Sequence, residues 1–472
     1  MKRHSFDVVV IGSGPAGQKA AIQAAEAGCM VGLVERDNRA GGACVHSGTI
    51  PSKTLRENAL QLTRTRRVVR DFNLDLEQQE PMTHLMSRLQ QVLSSHDSFI
   101  SDQLERAGVE WIHGRARFAD PHTLLVNKVD GQTWELRSRY IVLATGSSPR
   151  DPDNIPIDHE HILDSDSILS MCYLPKSLVV IGSGVIASEY ASIFAILGSR
   201  VTMIDRYPRP LGFLDPELCD AFVRNFESFG GTYLGERDIA SMKWNGLEVE
   251  VELENGDTVR AEKAIAAAGR IANLEYLELD KAELSANERG LMDVDEFCRT
   301  RQPHIYAVGD VIGAPALASS SMEQGRRAVR HALGLPLGAP SHTIPAGIFT
   351  IPEIASAGLT EVQAREKHGS VMVGSTTFDE VARGQIDGIQ DGMLKLVCDS
   401  DGRKVLGVQI VGEGATELIH MGQIAMVEGL DVDMFVENIF NFPTLAEAYR
   451  LAALDIINRR PKTEAPARAA TA

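Results

Sequence analysis

The sequence predicts an α/β protein, with two doubly wound domains followed by an α+β domain at the C-terminal end. Near the N-terminus, a short apolar strand runs into a glycine-rich turn, an alanine-rich helix and a second strand. The same series returns over residues 177–205 with the same internal spacing. From about residue 341 the alternation gives way to short strands followed by helices. Alternating strands and helices favour a parallel sheet, whereas separate runs favour an α+β domain.

The composition is that of an ordinary soluble globular protein. A chain of 472 residues is long enough for about three domains. Hydrophobic residues make up 44% and charged residues 24% of the chain. No apolar run approaches the roughly 20 residues of a membrane-spanning helix, so we expect no membrane association. A net charge of −17 argues against a nucleic-acid partner, because binding to phosphate backbones needs a basic surface.

The cysteines and the N-terminus indicate the compartment. The N-terminal residues lack the apolar segment of about 7–15 residues that marks a secretory signal. The six cysteines contain no Cys-x-x-Cys pair and no metal-ligand spacing, so we expect no metal site. This usage suits a reducing cytoplasm with free, mostly buried thiols. The cysteines are Cys29, Cys44, Cys172, Cys219, Cys298 and Cys398.

The first glycine-rich turn predicts a dinucleotide site. The strand over residues 6–11 is followed by Gly12, Gly14 and Gly17, then by a helix that ends near Ala27. Glycines at these places allow a tight turn and a close approach of pyrophosphate to the helix N-terminus. Glu35 follows the second strand, 18 residues after Gly17, where a carboxylate can accept from a ribose 2′-hydroxyl. The alternative is a glycine-rich turn that binds nothing.

The second turn repeats the first. Gly182, Gly184 and Ala187 follow the strand over residues 177–181, and Asp205 lies 18 residues after Ala187. Two copies with one spacing are less easily explained by chance than one copy, so we expect two Rossmann-like domains and two bound dinucleotides.

The residues beside Asp205 leave the choice of nucleotide open. Asp205 favours a free 2′-hydroxyl and hence NAD(H). Arg206 and Arg209 could instead neutralise the 2′-phosphate of NADP(H). Both arginines could equally be solvated loop charges.

Other elements are predicted from periodicity and β-branched runs. The long predicted helices cover residues 54–107, and a further helix covers residues 317–333. The remaining strands are predicted over 109–118, 123–127, 134–143, 371–377, 393–397 and 404–410. The final residues, 461–472, lack periodicity and are predicted to be a disordered tail.

One segment resembles the active site of the flavin-dependent disulfide reductases, the family of lipoamide dehydrogenase and glutathione reductase. Residues 39–53 read Arg-Ala-Gly-Gly-Ala-Cys-Val-His-Ser-Gly-Thr-Ile-Pro-Ser-Lys. In that family, glycines such as Gly42 let the backbone lie against the flavin of FAD. Two cysteines five positions apart form a redox disulfide there. Here the first is Cys44, but the second position holds Thr49, which cannot form a disulfide.

The resemblance also implies a charge pair. Lys53 matches a family lysine near flavin N5, and Glu189 matches the glutamate that pairs with it. A cation near N5 stabilises an electron-rich ring, and its carboxylate partner holds the cation in place. The alternative is an ordinary surface lysine and helix glutamate.

Further matches give the implied domain order. Thr145 and Gly146 match the Ala-Thr-Gly that leaves the flavin domain, Gly269 ends the nicotinamide domain, and Asp310 matches the acid facing the ribityl chain. The family implies a C-terminal domain that forms a homodimer or a larger homo-oligomer. The implied domains are FAD-binding (1–150 and 274–344), NAD(P)-binding (151–273) and dimerisation (345–460).

A second departure from the family lies near the C-terminus. The family's acid–base histidine is replaced by Phe442, and Glu447 keeps its place without an imidazole partner, so we interpret Glu447 as structural. Losing both this histidine and the second cysteine argues against disulfide reduction.

The Cys44 segment with Thr49 is similar to the soluble pyridine nucleotide transhydrogenase branch of the family. That branch implies hydride transfer between NADPH and NAD⁺ through flavin N5, by a ping-pong mechanism. One alternative is an NAD(P)H diaphorase or quinone reductase of the same fold. Another is a nucleotide-binding structural or sensory protein without turnover.

Overall fold

The computed structural model describes residues 2–71, 81–339, 342–389 and 391–460, and describes side chains outside 67–71 and 81–86. The predicted tail over 461–472 lies outside these residues. Among the helices that are described, none is both long and apolar enough to cross a membrane.

A strand, a helix and a strand follow one another over residues 2–35 and again over residues 177–204, as the sequence predicts. The described strands are β1 (Lys2–Ile11), β2 (Val31–Glu35), β3 (Glu110–Asp120), β4 (Thr123–Lys128), β5 (Thr133–Leu143), β6 (Ser147–Pro149), β7 (Ile162–Asp164), β8 (Ser177–Ile181), β9 (Arg200–Ile204), β10 (Thr232–Leu234), β11 (Ile239–Trp244), β12 (Val249–Leu253), β13 (Thr258–Ala261), β14 (Lys263–Ala266), β15 (Arg270–Ala272), β16 (Ile305–Ala307), β17 (Ala346–Ile348), β18 (Ile354–Gly358), β19 (Met372–Thr377), β20 (Met393–Cys398) and β21 (Val405–Val411). The described α-helices are α1 (Pro15–Glu26), α2 (Gly42–His46), α3 (Thr49–Asp71), α4 (Pro81–Arg106), α5 (Val185–Leu197), α6 (Pro216–Ser228), α7 (Ala318–Ala332), α8 (Glu361–His368), α9 (Ala382–Asp387), α10 (Ala415–Val427), α11 (Met434–Glu437) and α12 (Glu447–Arg459). Short 3-10 helices cover Ser167–Ser170, Glu275–Leu277, Leu279–Ala282, Gly309–Ile312 and Phe378–Glu380.

The chain divides into two compact units. Unit 1 contains Met1–Ile181 and Ile239–Pro340, and unit 2 contains Gly182–Asp238 and Ser341–Ala472. The four predicted domain boundaries stay predictions.

Unit 1 is built on a parallel sheet. β1 lies between β2 and β5 and is parallel to both, with Val8 opposite Val31 on one side and Tyr140 on the other. β3 continues the sheet beyond β2, and β16 continues it beyond β5. β4 pairs antiparallel with both β3 and β5.

Strand β1 is buried on both faces. Val8 and Val10 belong to one hydrophobic cluster with Ala20, whereas Val9 and Ile11 belong to another, packed among other strands of unit 1. This explains why the strand is a continuous apolar run rather than an alternating one.

Helices α1 and α7 pack with their backbones very close together. A Cβ at Gly325 would lie 2.1 Å from the Ala16 carbonyl oxygen, so only glycine fits there. The buried face of α1 is built largely from alanine, which lets neighbouring elements approach closely; its buried members include Ala16, Ala20, Ala21 and Ala24.

The rest of unit 1 contains smaller sheets. β14 lies between β7 and β8 and is parallel to both. β11, β12 and β13 form an antiparallel meander, and β6 pairs with β15.

Unit 2 contains a parallel pair and an antiparallel sheet. β9 pairs with β10, and a separate sheet has the order β17-β18-β21-β20-β19. Its last three strands confirm those predicted near 371–377, 393–397 and 404–410. The core of this sheet packs with α10 and α12 around Phe435 and Tyr449.

The starts of two elements and the burial of the cysteines differ from the predictions made from the sequence. α3 begins at Thr49 rather than near residue 54, and β1 begins at Lys2 rather than at Phe6. All six cysteines are free, as expected, but only Cys219 and Cys398 are buried, so the prediction of mostly buried thiols is wrong. The presence of a cysteine in the sequence does not show whether neighbouring elements cover its side chain.

A buried charge lies in the middle of the C-terminal sheet. The Lys395 side chain on β20 is 4% exposed, and its ammonium lies 2.6 Å from Glu361, 3.0 Å from Glu217 and 3.5 Å from buried Asp215. Burial would lower the pKa of Lys395, but hydrogen bonds to Glu361 and Glu217 and the charge of Asp215 outweigh it, so the pKa is raised. For Asp215, burial raises the pKa although Lys395 opposes the shift.

We expect Lys395→Met to lower the free energy of unfolding by about 3 kcal/mol at pH 7, because Asp215 then stays buried without its cation. The pKa of Asp215 should rise further without Lys395, and a buried carboxylate with a raised pKa loses its contribution to stability as pH rises. The Glu361 carboxylate has a lowered pKa, so the stability that it gains from Lys395 is lost as pH falls. Both effects make the loss of unfolding free energy in Lys395→Met, relative to wild type, largest near neutral pH and smaller towards pH 4.

Urea denaturation at pH 7 and pH 4.5 would measure this difference. Arg365→Met is the matched control, since Arg365 pairs with the same Glu361 but is 51% exposed, and exposed pairs contribute about 0–1 kcal/mol. A Lys395→Met loss that is the same at both pH values, or no larger than the Arg365→Met loss, would contradict the expectation.

Candidate active site

The first glycine-rich turn has the geometry of a ligand cradle. Gly12 has φ +102°, and a Cβ there would lie 2.3 Å from the Ala144 carbonyl oxygen. A Cβ at Gly17 would lie 1.8 Å from the Gly12 carbonyl oxygen, so the third glycine lets α1 pack on the turn. A Cβ at Gly14 would meet nothing within 4 Å. The first and third glycines therefore serve packing, and the second faces open space at the N-terminus of α1.

Glu35 is held against this turn. It ends β2, is 7% exposed, and its Oε2 accepts hydrogen bonds from the Ser13 amide (2.8 Å) and hydroxyl (2.7 Å). Its Oε1 accepts from the Asp37 amide at 3.1 Å. The predicted ribose acceptor thus also fixes the turn that would hold the pyrophosphate.

The Cys44 segment lies on the same turn. Gly41 has φ +117°, and α2 begins at Gly42. A Cβ at Gly42 would lie 3.0 Å from the Gly14 Cα, so a side chain at Gly42 would separate the two segments. The structure therefore brings Gly42 and Gly14 together, as the cofactor prediction requires.

Thr49 fills the place of the second cysteine, beside Cys44. Burial raises the pKa of the Cys44 thiol, the Thr49 hydroxyl and the charge of Lys53 oppose that shift in part, and the charge of Asp310 adds to it. Cys44 is therefore a protonated thiol at neutral pH. Lys53 lies in the second turn of α3 rather than at its start, and its ammonium donates to Ser52 Oγ at 3.3 Å.

A chain of hydrogen bonds orients Asp310. The Ser147 hydroxyl donates to Asp310 Oδ2 at 2.5 Å, and Arg270 Nε donates to Ser147 Oγ at 2.8 Å. Asp166 lies 3.5 Å from the Arg270 guanidinium. Sequence reasoning missed Ser147 and Arg270, although each directly follows a matched residue, Gly146 and Gly269.

Thr145 supplies an independent sign of a ligand. Its hydroxyl is buried and has no hydrogen-bond partner among the residues that the structure describes. Its carbonyl accepts from Asn273 Nδ2 at 3.0 Å, and the Gly146 carbonyl accepts from the Asn273 amide at 2.9 Å. Buried hydroxyls are normally satisfied, so Thr145 is placed to bond to a bound molecule.

The second turn, in unit 2, repeats the geometry of the first. Gly182 has φ +104°, and its amide donates to the Ile204 carbonyl at 2.9 Å. A Cβ at Gly184 would meet nothing within 4 Å, as at Gly14. Ala187 is fully buried in α5, the place of the third small residue.

Glu189 is not a surface residue. It lies in the interior of α5 rather than at its start, is 4% exposed, and its Oε1 accepts from the Phe349 amide at 2.9 Å. Since Lys53 belongs to unit 1 and Glu189 to unit 2, their pairing stays a prediction.

Asp205 lies at the end of β9 under two loops. Its Oδ1 accepts from the Tyr207 amide at 3.1 Å, and its carbonyl accepts from the Arg237 amide at 3.0 Å. Arg206 and Arg209 each have another carboxylate partner: Arg206 Nε lies 3.3 Å from Asp238, and Arg209 Nε donates to Asp220 at 2.7 Å. Arg237 is a further cation at this place that sequence reasoning missed.

The structure also describes Phe442 and Glu447, the two residues near the C-terminus that the sequence analysis compares with the family. Phe442 is 74% exposed. Glu447 begins α12, and its Oε2 is buried without a partner in the part of the chain that is described.

Two family models match this chain. Residues 6–325 match the pyridine nucleotide-disulphide oxidoreductase model, and residues 344–453 match the dimerisation domain of the same family. The chain belongs to the pyridine nucleotide-disulphide oxidoreductase family.

Two curated relatives of this chain carry the same name. The chain is 42% identical over 456 residues to the soluble pyridine nucleotide transhydrogenase of Mycobacterium tuberculosis, covering 96% of this chain and 97% of the relative. It is 41% identical to the protein of that name from Chromohalobacter salexigens, covering 97% and 100%.

Solved structures share the fold. LpdA from Mycobacterium tuberculosis has a TM-score of 0.88 at 27% identity, covering 96% of this chain and 99% of that one. The flavoprotein disulfide reductase RclA from Escherichia coli, as its Cu(II) complex, has a TM-score of 0.86 at 25% identity, covering 96% and 99%.

The family depends on FAD and takes NAD(P)H as substrate. The residues of unit 1 fit FAD, because the open face at Gly14 and the unpartnered Thr145 hydroxyl are features of a site built for a ligand. Two pairs of predicted FAD-binding residues are brought together, since Gly12 approaches the backbone of Thr145 and Gly42 approaches Gly14.

We expect Gly14→Ala to bind FAD at least ten-fold more weakly than wild type while the apoprotein keeps its thermal midpoint. The backbone at Gly14 (φ −65°, ψ −178°) suits alanine, and no protein atom would clash with the methyl group. A bound pyrophosphate, in contrast, would meet the methyl group directly.

Flavin absorbance per chain and the thermal midpoint of the apoprotein would measure the two effects. Gly212→Ala is the control, since a Cβ there comes no closer than 4.0 Å to another atom. Full flavin content in Gly14→Ala would show that Gly14 does not contact the cofactor.

Proposed function

We propose that this protein is an FAD-dependent transhydrogenase that moves a hydride between NADPH and NAD⁺. The observation that carries the proposal is Thr49, whose hydroxyl lies beside Cys44 at the position where a disulfide reductase of this family needs a second thiol. The names of the relatives at 41–42% identity support the same activity.

The same residues argue against disulfide reduction. In sequence, the cysteines nearest to Cys44 are Cys29 and Cys172, so the Cys44 segment holds a single thiol. The reactive form of a cysteine is the thiolate, and burial raises the pKa of Cys44. Phe442 cannot transfer a proton at the position of the family's histidine.

Each group of residues has a proposed role. The Gly12 turn, Glu35, Thr145 and Asp310 would hold FAD, and the Gly182 turn with Asp205 would hold the nicotinamide nucleotide. FAD, when bound, supplies a ring that accepts a hydride equivalent from one nucleotide and returns it to another. Lys53 would stabilise negative charge at the reacting end of the cofactor, and buried Glu189 would hold Lys53 in place.

The two nucleotides would use one site in turn. The described residues contain two dinucleotide turns, and the first is committed to FAD by Gly42, Cys44 and Asp310. Donor and acceptor must therefore occupy the Gly182 turn one after the other.

We propose that the protein acts as a homodimer in the cytoplasm. The dimerisation model covers residues 344–453, and large apolar side chains are exposed in that segment. They include Ile424 (59%), Val427 (53%), Ile439 (98%) and Phe442 (74%). A second copy of the chain would cover such a surface.

Anaerobic titration with NADPH should end at two electrons per FAD, because Thr49 leaves the site without a second redox centre. The long-wavelength absorbance of a thiolate beside flavin should be missing, since Cys44 is protonated. Cys44→Ser should give the same endpoint. A four-electron endpoint, or reduction of lipoamide or glutathione disulfide, would contradict the proposal.

Steady-state rates with NADPH and NAD⁺ should give parallel double-reciprocal lines, with inhibition by excess of either nucleotide. Isotope exchange between NAD⁺ and NADH should proceed without NADP. Intersecting lines would show a second nicotinamide site. Electron transfer to a quinone much faster than NADH formation would favour the diaphorase alternative.

Lys53→Ala should slow cofactor reduction by NADPH in stopped-flow experiments by about ten-fold or more while FAD stays bound, because the charge acts on the reacting end of the cofactor rather than on the pyrophosphate. Lys281→Ala, which removes an exposed lysine elsewhere in unit 1, is the matched control. Equal rates in the two variants would remove Lys53 from the mechanism.

A further inference from the structure

The end of unit 2 where the nucleotide is expected to bind carries more charged side chains than are needed to bind a ribose 2′-hydroxyl. β9 and β10 are parallel neighbours, and the loops that follow them pack on each other. The Tyr207 carbonyl accepts from the Tyr233 hydroxyl at 2.7 Å and from the Glu236 amide at 3.3 Å. The Asp205 carbonyl is bonded to the Arg237 amide. The two loops therefore form one rim around Asp205, at the strand ends where ligands of open α/β sheets bind.

Two arginines of this rim, Arg206 and Arg209, are held differently. Arg209 is bonded to Asp220 by two nitrogens, Nε at 2.7 Å and Nη2 at 3.5 Å, and its side chain is 49% exposed. Arg206 is the more exposed, at 68%, and meets Asp238 through the single Nε–Oδ1 distance of 3.3 Å. Asp238 is itself 44% exposed. The Arg206–Asp238 pair is therefore the looser of the two.

In an exposed ion pair of this kind, the arginine can readily leave its carboxylate for another anion. Such pairs contribute little to stability, because water screens the charges and two long side chains must be ordered. A phosphate dianion offers arginine more charge and several acceptor oxygens, so it competes well against one carboxylate. When the nucleotide carries only a 2′-hydroxyl, Asp238 can stay paired with Arg206, so that Arg206 keeps a counter-charge beside Asp205.

We propose that Asp238 is the residue that sets the balance between NAD(H) and NADP(H), by holding Arg206 when the 2′-phosphate is absent and giving it up when the 2′-phosphate is present. This inference rests on the proposed function in one respect, that the Gly182 turn takes the nicotinamide nucleotide. It assigns to Asp238 a positioning role, exerted through Arg206. A protein that must bind both nucleotides in turn gains from an internal anion that substitutes for the phosphate.

Replacing Asp238 should change the selectivity between the two nucleotides, and binding alone can measure this change without turnover. Asp238→Asn keeps the size of the side chain and removes its charge. The FAD-loaded variant should bind adenosine 2′,5′-bisphosphate about five-fold more tightly than wild type, the effect of freeing one exposed arginine and removing one repulsive carboxylate. Binding of 5′-AMP should stay within two-fold. The gain should shrink in high salt, since the charges are exposed.

Titration calorimetry of the FAD-loaded protein with both probes would measure these affinities. Asp387→Asn is the matched control, because Asp387 forms an exposed pair with Arg383 on α9 and its loss changes the net charge equally. Arg206→Ala combined with Asp238→Asn should lose the gain seen for Asp238→Asn alone. Asp220→Asn should give a smaller gain than Asp238→Asn.

Equal changes for both probes in Asp238→Asn, no change for either, or a gain of the same size in Asp387→Asn or Asp220→Asn would overturn the assignment to Asp238. Failure of wild type to bind either probe would overturn the nucleotide site as well. The predicted shift in a protein that lacks transhydrogenase activity would support the role of Asp238 and contradict the proposed reaction alone.

Discussion

The close approach of Gly12 to the strand end at Ala144 is the constraint on which the cofactor site depends. With a Cβ at Gly12 only 2.3 Å from the Ala144 carbonyl oxygen, any other residue would push the turn away from the sheet. The turn would then no longer meet Gly42, and Thr145, which follows Ala144, would no longer face the space beside it. One glycine therefore sets the positions of segments that lie over a hundred residues apart in sequence.

Features decided by local chemistry could be predicted from the sequence. Strands β1, β2, β8 and β9 are apolar because the parallel arrangement buries both faces, so their runs are visible without any partner. The two glycine turns were predictable because a positive φ at Gly12 and Gly182 excludes nearly all other residues. The departures at Thr49 and Phe442 were visible because the surrounding motifs fix their positions.

Features decided by distant partners could not be predicted. Ser147 and Arg270 orient Asp310 across more than a hundred residues, and no spacing rule connects them. A lysine inside the apolar strand β20 gives no sign of the three carboxylates that surround it. Likewise, Arg206 and Arg209 suggested a phosphate site from their neighbours in sequence, whereas Asp238 and Asp220 become visible as their partners only after β10 and α6 are placed.

The state of Cys44 connects the geometry with the proposed reaction. A transhydrogenase must return the hydride equivalent to a nucleotide rather than lose it to a neighbouring thiol. Burial raises the pKa of the Cys44 thiol, and Thr49 puts a hydroxyl in place of a redox partner. The positive charge of Lys53 opposes the rise in the pKa of Cys44 only in part. In the proposed transhydrogenase, the Cys44 thiol would therefore take no electrons from the cofactor.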